Sequence, residues 1–266
     1  MDSYQTLGYS ASLVAGIIMG LIGGGGSILT VPILVYLLAY NPVIATAYSL
    51  FVVGTTSIVG AIQSLRRGLV DYRAAIIFAL PSIIGVYLTR KYLVPALPDV
   101  MFTVSGFKVS SGIFIMLVFA IVILFASISM IVKKANSIDD NKHELNYNIF
   151  TVIILGLVTG VISGFVGAGG GFLNIPVLVF FIRLPMKKAI GTSLFIISIK
   201  SLIGFLGDIE HVDIDWTFLL QFTLFSIMGI LIGIYLSKFI DEKKLKKGFG
   251  FFTLIMGAYI ILKELF

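Results

Sequence analysis

Gly23-Gly24-Gly25-Gly26-Ser27, followed by Pro32, lies between two apolar runs, and Gly167-Ala168-Gly169-Gly170-Gly171, followed by Pro176, lies between two more. Glycine costs backbone entropy in a helix and tolerates conformations that other residues avoid, so each cluster predicts a helix break. Both flanks are apolar enough for a bilayer. The fold therefore turns on two helices broken inside or beside a membrane, in the same way.

Composition sets the same frame. With 266 residues, a mean hydropathy of +1.08, 58% hydrophobic and 12% charged residues, the chain reads as a polytopic membrane protein and not as a soluble domain with an anchor. The start, Met1-Asp2-Ser3-Tyr4, has no basic region, so no cleaved signal peptide is expected. Cysteine is absent, which excludes disulfides, thiolate catalysis and Cys-ligated metal. The net charge of +6 does not imply a nucleic-acid partner, because the Lys and Arg residues sit in short loops beside apolar spans.

The two clusters belong to an internal repeat. A shift of 144 residues, Gly16 onto Gly160, also brings Gly20, Gly23, Gly25 and Gly26 onto Gly164, Gly167, Gly169 and Gly170. The same shift matches Leu29, Pro32 and Leu34 with Leu173, Pro176 and Leu178, and Ala45, Ser49, Leu50, Phe51, Ser57 and Gly60 with Ala189, Ser193, Leu194, Phe195, Ser201 and Gly204. Asp71 meets Asp215 and Gly85 meets Gly229. Each half holds five apolar segments: 7–22, 27–40, 43–64, 74–93 and 109–132, then 148–166, 171–183, 188–207, 216–238 and 248–266. A spanning helix needs ~20 residues at ~1.5 Å each. The segments flanking each glycine cluster fall short or barely reach, and the other three per half suffice. The expected fold is all-α, with ten helical segments in two repeats, 1–132 and 148–266, joined by a hydrophilic linker at 133–147.

Loop charges orient the repeats. Arg66, Arg67 and Arg73 mark 65–73 as cytoplasmic, whereas its repeat partner 209–217 has no Lys or Arg and carries Glu210, Asp213 and Asp215. Arg183, Lys187 and Lys188 place 183–188 inside, Lys238, Lys243, Lys244, Lys246 and Lys247 place 238–247 inside, and Lys133, Lys134 and Lys142 do the same for the linker. Their partners around 39–42 and 94–103 carry no Lys or Arg. The halves thus have opposite orientation, with both termini outside, an arrangement in which substrate binds near the midplane where the repeats meet. Each glycine cluster becomes the tip of a helical hairpin. Arg90 and Lys91 fall at the outer end of a span, where they are expected to snorkel to headgroups or line an outer vestibule for anions.

Open backbone at membrane depth is tolerated only where protein or a water-filled cavity covers it, so the tips should face the bundle interior. The helix after each tip presents free N–H groups and a positive dipole end, which attract anions. Close helix packing is the competing use of these glycines, and it is the expected one for Gly16 and Gly20. Lys200, inside Phe195-Ile196-Ile197-Ser198-Ile199-Lys200-Ser201, is an ionisable residue at mid-span, a functional-site hypothesis by default. Its repeat partner is Thr56. The alternative is that Lys200 snorkels outward or neutralises a carboxylate near Asp208. No Asp or Glu falls at mid-span, which argues against a cation site. The candidate substrate-binding residues are Gly24, Gly25, Gly26 and Ser27, with Ser49, in the first half, and Gly169, Gly170, Gly171, Asn174, Thr192, Ser193 and Lys200 in the second. Tyr48, beside Ser49, is expected in the core. No cofactor, metal or catalytic residue is expected; the partners are a small anion and the lipid bilayer, with a homo-oligomer left open.

These same residues carry a family likeness. Gly20-Leu21-Ile22-Gly23-Gly24-Gly25-Gly26 with Pro32, and Gly164 to Gly171 with Pro176, resemble the paired motifs of the TauE/SafE membrane proteins. Lys188-Ala189-Ile190-Gly191-Thr192-Ser193-Leu194 resembles that family's Ala-x-Gly-Thr-Ser signature, from which Ala45-Thr46-Ala47-Tyr48-Ser49 in the first half departs. The likeness covers nearly the whole chain. It implies a transporter, usually described as an exporter, of sulfite or sulfur-containing organic anions such as sulfonates, in the cytoplasmic (inner) membrane of a prokaryote. The residues themselves reach an anion, a midplane and an inverted repeat; sulfur enters only through the resemblance. The competing expectations are an uncoupled anion channel and an intramembrane enzyme using Ser163 or Ser193, which lacks a mid-span His or Asp pair to activate it.

Overall fold

The computed structural model describes residues 3–24, 26–104, 107–132, 148–240 and 242–265. Ten α-helices follow the ten apolar segments: α1 (Ser3–Ile22), α2 (Ser27–Pro32), α3 (Pro42–Arg66), α4 (Tyr72–Leu88), α5 (Ser111–Val132), α6 (Ile149–Val166), α7 (Gly171–Phe180), α8 (Met186–Leu206), α9 (Trp216–Leu236) and α10 (Glu242–Leu265). Hydrophilic positions at the repeat boundaries start them. Asp71 caps α4 by accepting from Ala74 N at 2.8 Å, and its repeat partner Asp215 caps α9 by accepting from Phe218 N at 3.0 Å. Asn41 caps α3 and Asn148 caps α6.

Two local features depart from the expected segments. After Pro32, which has no N–H to donate, the helix loosens into a π-helical stretch, Ile33–Leu37, so the second segment is a short α-helix with a wider continuation. The stretch read as a plain loop before the fifth helix holds a hairpin, β1 (Val100–Val104) and β2 (Phe107–Ser110), paired antiparallel from Val100 opposite Ser110 to Val104 opposite Phe107. Its alternating Val100, Phe102 and Val104, and Phe107 and Val109, suit a short strand pair. The linker at 133–147 lies outside the described residues.

The two halves interlock. Helix α1 packs along α9, α6 along α4, α3 against α8, and α5 against α10. Exchanging the first five helices for the last five returns the same pairs. Glycines let the first two pairs approach closely: a methyl added at Gly16 would meet the Ser226 carbonyl and Gly229, and one at Gly20 would meet Ile230 and Gly233. Gly156, Gly160 and Gly164 do the same for α6 against Phe78, Ser82 and Val86 of α4. Gly16 and Gly20 are therefore packing residues, as expected. The central pair is antiparallel. Gly54 meets Leu202, Gly60 meets Leu194 and Ser64 meets Gly191, so the third helix of one repeat runs against its own counterpart in the other.

Among the described residues, six helices are long and apolar enough to cross a membrane, and the runs Thr6–Ile22, Ser27–Leu37 and Gly171–Phe180 are apolar but shorter. Large apolar side chains face outward, including Leu80, Ile84, Phe125, Phe150, Leu220 and Leu224. The chain is an all-α polytopic membrane protein.

Candidate functional site

The two glycine clusters end α1 and α6 and turn the chain back into the protein. Gly23 and Gly24 stand at φ +69° and +94°, and Gly167, Gly169 and Gly170 at +71°, +63° and +69°, a region that side chains with a Cβ avoid. Gly167 N donates to Ser163 O at 2.9 Å and Gly23 N to Met19 O at 2.8 Å, closing the two helices identically, since Met19 and Ser163 are repeat partners. The turns then meet. A methyl on Gly171 would collide with the Gly24 carbonyl, and one on Gly24 would lie 3.1 Å from Gly171 Cα. Ile197, near the middle of the spanning helix α8, touches both Gly24 and Gly169. The tips therefore sit halfway along α8, neither at the surface nor in a loop.

One side of this meeting point is polar. Lys200, fully buried, donates from Nζ to Asn174 Oδ1 at 3.1 Å. Among the described residues it has no carboxylate partner. A methyl on Gly170 would lie 2.8 Å from Lys200 Nζ and 2.7 Å from Ser163 Oγ, so the cation and the hydroxyl both converge on the residue that precedes α7. Ser163 Oγ, Asn174 Nδ2 and Ser201 Oγ are buried and have no hydrogen-bond partner among the described residues. Ser201 Oγ lies 3.0 Å from a methyl placed on Gly169. The first turn of α7 adds N–H groups that its own helix cannot satisfy. A buried lysine amine, unused donors and a helix N-terminus thus share one place, which costs free energy unless an anion compensates it. Phe172, buried against Phe119 of α5 with ring centres 6.2 Å apart, holds α7 at this depth.

The first half does not mirror this chemistry. The repeat partners of Ser163, Asn174 and Lys200 are Met19, Thr30 and Thr56. Helix α2 is six residues long, and Ser27 spends its hydroxyl on the Gly24 carbonyl at 2.5 Å. Gly26 packs on Ala15 and Met19 of α1, while Gly25 lies outside the described residues. Of the helix N-termini expected at the two tips, the second opens a ten-residue α7, whereas the first opens only the six-residue α2, and the first tip presents the backbone of Gly24 as a wall. Ser193 Oγ lies 3.6 Å from a methyl on Gly24, and neither it nor Ser49 Oγ, its buried repeat partner, has a hydrogen-bond partner among the described residues.

Thr192 does another job. Its Oγ1 accepts from Asp71 N at 3.0 Å, the residue that caps α4. Tyr48, its repeat partner, accepts from Asp215 N at 2.7 Å through its hydroxyl, at the cap of α9. The unlike pair Thr and Tyr fill the same structural role, which explains why the first half departs from the Gly-Thr-Ser pattern without losing the fold. Ser163, named in the sequence only as a nucleophile for the competing enzyme reading and absent from the expected binding residues, is marked there as a polar residue one helical turn before a glycine cluster.

Arg90 is not exposed to headgroups. Its side chain is fully buried, with Nη1 3.4 Å from Asp208 Oδ1 and donating to Thr46 Oγ1 at 3.1 Å. The extension of α4, Thr89–Leu93, carries it under Gly167, whose added methyl would lie 2.5 Å from Arg90 Nη2. Lys91, the neighbour, reaches the Tyr87 hydroxyl at 3.3 Å. With Asp208 engaged by Arg90, Lys200 has a different role from neutralising that carboxylate.

On the other side of the tips a cavity of about 320 Å³ opens between the halves, lined by Gly20, Ser64, Ile190, Leu194 and Ile234 and rimmed by Arg67, Lys187 and Lys238. Those three cations come from 65–73, 183–188 and 238–247, three of the four chain segments whose charges predict a cytoplasmic side. The cavity reaches Ile190, which packs on Gly23, and so ends at the first tip.

Comparison with known proteins adds the family. The sequence model described as "Sulfite exporter TauE/SafE" matches residues 9–260. A "Probable membrane transporter protein" of Xylella fastidiosa is 31% identical over 252 residues, covering 93% of this chain and 91% of that protein. The "Probable membrane transporter protein YunE" of Bacillus subtilis is 26% identical over 272 residues, covering 96% of each. No solved structure matches the chain.

Proposed function

The chain belongs to the TauE/SafE sulfite exporter family of membrane transporters, and we propose that within it this protein is a secondary transporter of a small oxyanion, sulfite or a sulfonate, bound at the meeting point of the two glycine tips. One observation carries the reading: Lys200 is a fully buried amine that has no carboxylate partner among the described residues and is aimed with Ser163 and Asn174 at the start of α7. A small tetrahedral or pyramidal oxyanion offers several acceptor oxygens to these convergent donors. Gly169, Gly170 and Gly171 let it approach the backbone. The family's printed name supports sulfur; the residues support an anion.

Transport in this reading is alternating access between two inverted repeats. The antiparallel run of α3 against α8 supports the inversion, and the common cavity of Arg67, Lys187 and Lys238 supports one cytoplasmic face. In this reading anions enter from that face and are exported across the cytoplasmic membrane of a prokaryote, with both termini outside; the family's printed name supports the direction. Basic rims raise the local anion concentration and speed encounter.

A thermal-shift screen of sulfite, sulfate, thiosulfate and small sulfonates against the purified protein tests the substrate class. Stabilisation by sulfite or a sulfonate supports the proposal, since a ligand of the folded state raises its stability with concentration. No shift with any of them contradicts it. Saturable, trans-stimulated flux in proteoliposomes distinguishes a carrier from an uncoupled channel.

A further inference from the structure

The 144-residue repeat lets each position on one side of the tips be compared with its counterpart on the other. Ser64, Ile190, Leu194 and Ile234 line the open cavity, and their counterparts are Asp208, Thr46, Leu50 and Arg90. The packing on the tips is equivalent too: a methyl on Gly23 would collide with Ile190, and one on Gly167 with Thr46. One location is hollow and the other is filled by a buried cation, a buried carboxylate and a hydroxyl, all three drawn together on Arg90 Nη1.

That filled place is poorly satisfied. Arg90 makes a single 3.4 Å contact with the carboxylate, while Arg90 Nε and Nη2 and Asp208 Oδ2 are buried without hydrogen-bond partners among the described residues. A guanidinium normally pairs with a carboxylate through two parallel bonds, and a buried pair that falls short of this keeps much of its desolvation cost. The arrangement has the form of a latch, closed but not tightly. Arg90 also abuts Gly167, the first residue of the tip that leads to Lys200.

We propose that Arg90 is a second anion-binding residue on the side opposite the cavity, that Asp208 occupies it in this conformation as a tethered stand-in for the substrate, and that the Arg90–Asp208–Thr46 contact is the closed gate of the pathway. When the protein turns to face that side, the pair parts, and Arg90 receives the anion leaving the Lys200 site. This rests on the reading of the chain as an alternating-access transporter. It explains an asymmetry that the repeats alone do not require. The cavity side attracts anions with cations on loops and helix ends, and the closed side holds its cation inside.

The natural absence of cysteine gives a clean labelling experiment. Leu194→Cys reports the open cavity and Leu50→Cys, its repeat partner, reports the closed side; each is read in membrane vesicles with an impermeant thiol reagent. The expected result is rapid labelling at 194 from the Arg67 side and little labelling at 50 from either side. Adding Asp208→Asn speeds labelling at 50 from the Asp215 side by about tenfold, as a shift of population toward the open gate requires. The charge-swapped pair, Arg90→Asp with Asp208→Arg, restores protection. Unchanged labelling at 50 in Asp208→Asn, or labelling in the swapped pair as fast as in Asp208→Asn, overturns the gate. Sulfite calorimetry supplies the binding arm: Asp208→Asn tightens binding, and adding Arg90→Gln abolishes the gain, whereas affinity unchanged or weakened in Asp208→Asn overturns the role of Arg90. Labelling requires no flux, so failure of the transporter reading shows separately, as vesicles without anion flux.

Discussion

Gly171, at the start of α7, lies against the backbone of Gly24 in the other half of the chain, so closely that a methyl group on Gly171 would collide with the Gly24 carbonyl. This contact joins the two repeats at the depth of Ile197, midway along α8. Gly171→Ala is therefore expected to separate the tips, lower the Tm and weaken anion binding together. Gly248→Ala, on α10 where nothing lies within 4 Å of an added methyl, serves as the control. There the change is expected to be neutral or stabilising by about 0.4–1 kcal/mol. Equal Tm values for the two variants would show that the tips do not touch.

The matched hydroxyls of Thr192 and Tyr48 separate scaffold from site. Thr192→Val removes the acceptor for Asp71 N, a half-buried donor, and the lost bond costs about 0.5–1.5 kcal/mol. The expected outcome is a lower Tm with anion affinity unchanged in the protein that remains folded. A selective loss of affinity at wild-type Tm would move Thr192 into the binding site.

Ser163 and Asn174 are assigned to the anion by their position beside Gly170 and Lys200 and by their unused polar atoms. A hydrogen bond to a charged group contributes about 1.5–3 kcal/mol, so Ser163→Ala is expected to weaken sulfite binding about tenfold or more. Stability should change little, because the hydroxyl has no hydrogen-bond partner among the described residues. The equivalent change in the first half, Met19→Ala, is expected to lower stability through the cavity it leaves and is not expected to act through a lost polar contact.

The rim of the cavity acts at longer range. Arg67→Gln with Lys238→Gln is expected to slow anion entry from that side and to flatten its dependence on ionic strength, because exposed charges steer ligands only within a Debye length of roughly 8–10 Å. Initial flux measured at low and high salt in oriented vesicles reads both effects. A salt dependence identical to that of the unaltered protein would remove the rim from the pathway.

The helices were legible because the bilayer demands length and apolarity, and the glycine clusters because few residues other than glycine accept left-handed turns. The repeat placed Asp71 and Asp215 as equivalents, and both prove to be helix caps. Lys200 was legible as a charge where none belongs. What pattern could not supply was pairing across the halves. Whether Thr192 faced the tip or Asp71, whether Arg90 faced lipid or Asp208, and that Ser163 faced Gly170 are all contacts between segments far apart in the chain. Equivalence by repeat also misled at the first tip, where Met19 and a short α2 replace Ser163 and a longer α7. Nor did the local sequence mark the hairpin of β1 and β2 against its apolar surroundings.

The central claim is that Lys200 holds the anion. Calorimetric titration of sulfite into the purified protein and into Lys200→Met, with the Tm of both recorded, tests it most directly. Methionine keeps the length of the side chain and removes a buried ionisable group, so the variant is expected to be at least as stable as the parent. The account predicts saturable binding to the parent protein and a loss of about a hundredfold in affinity, roughly 2.7 kcal/mol, in the variant. Sulfite bound with equal affinity by both proteins would contradict it.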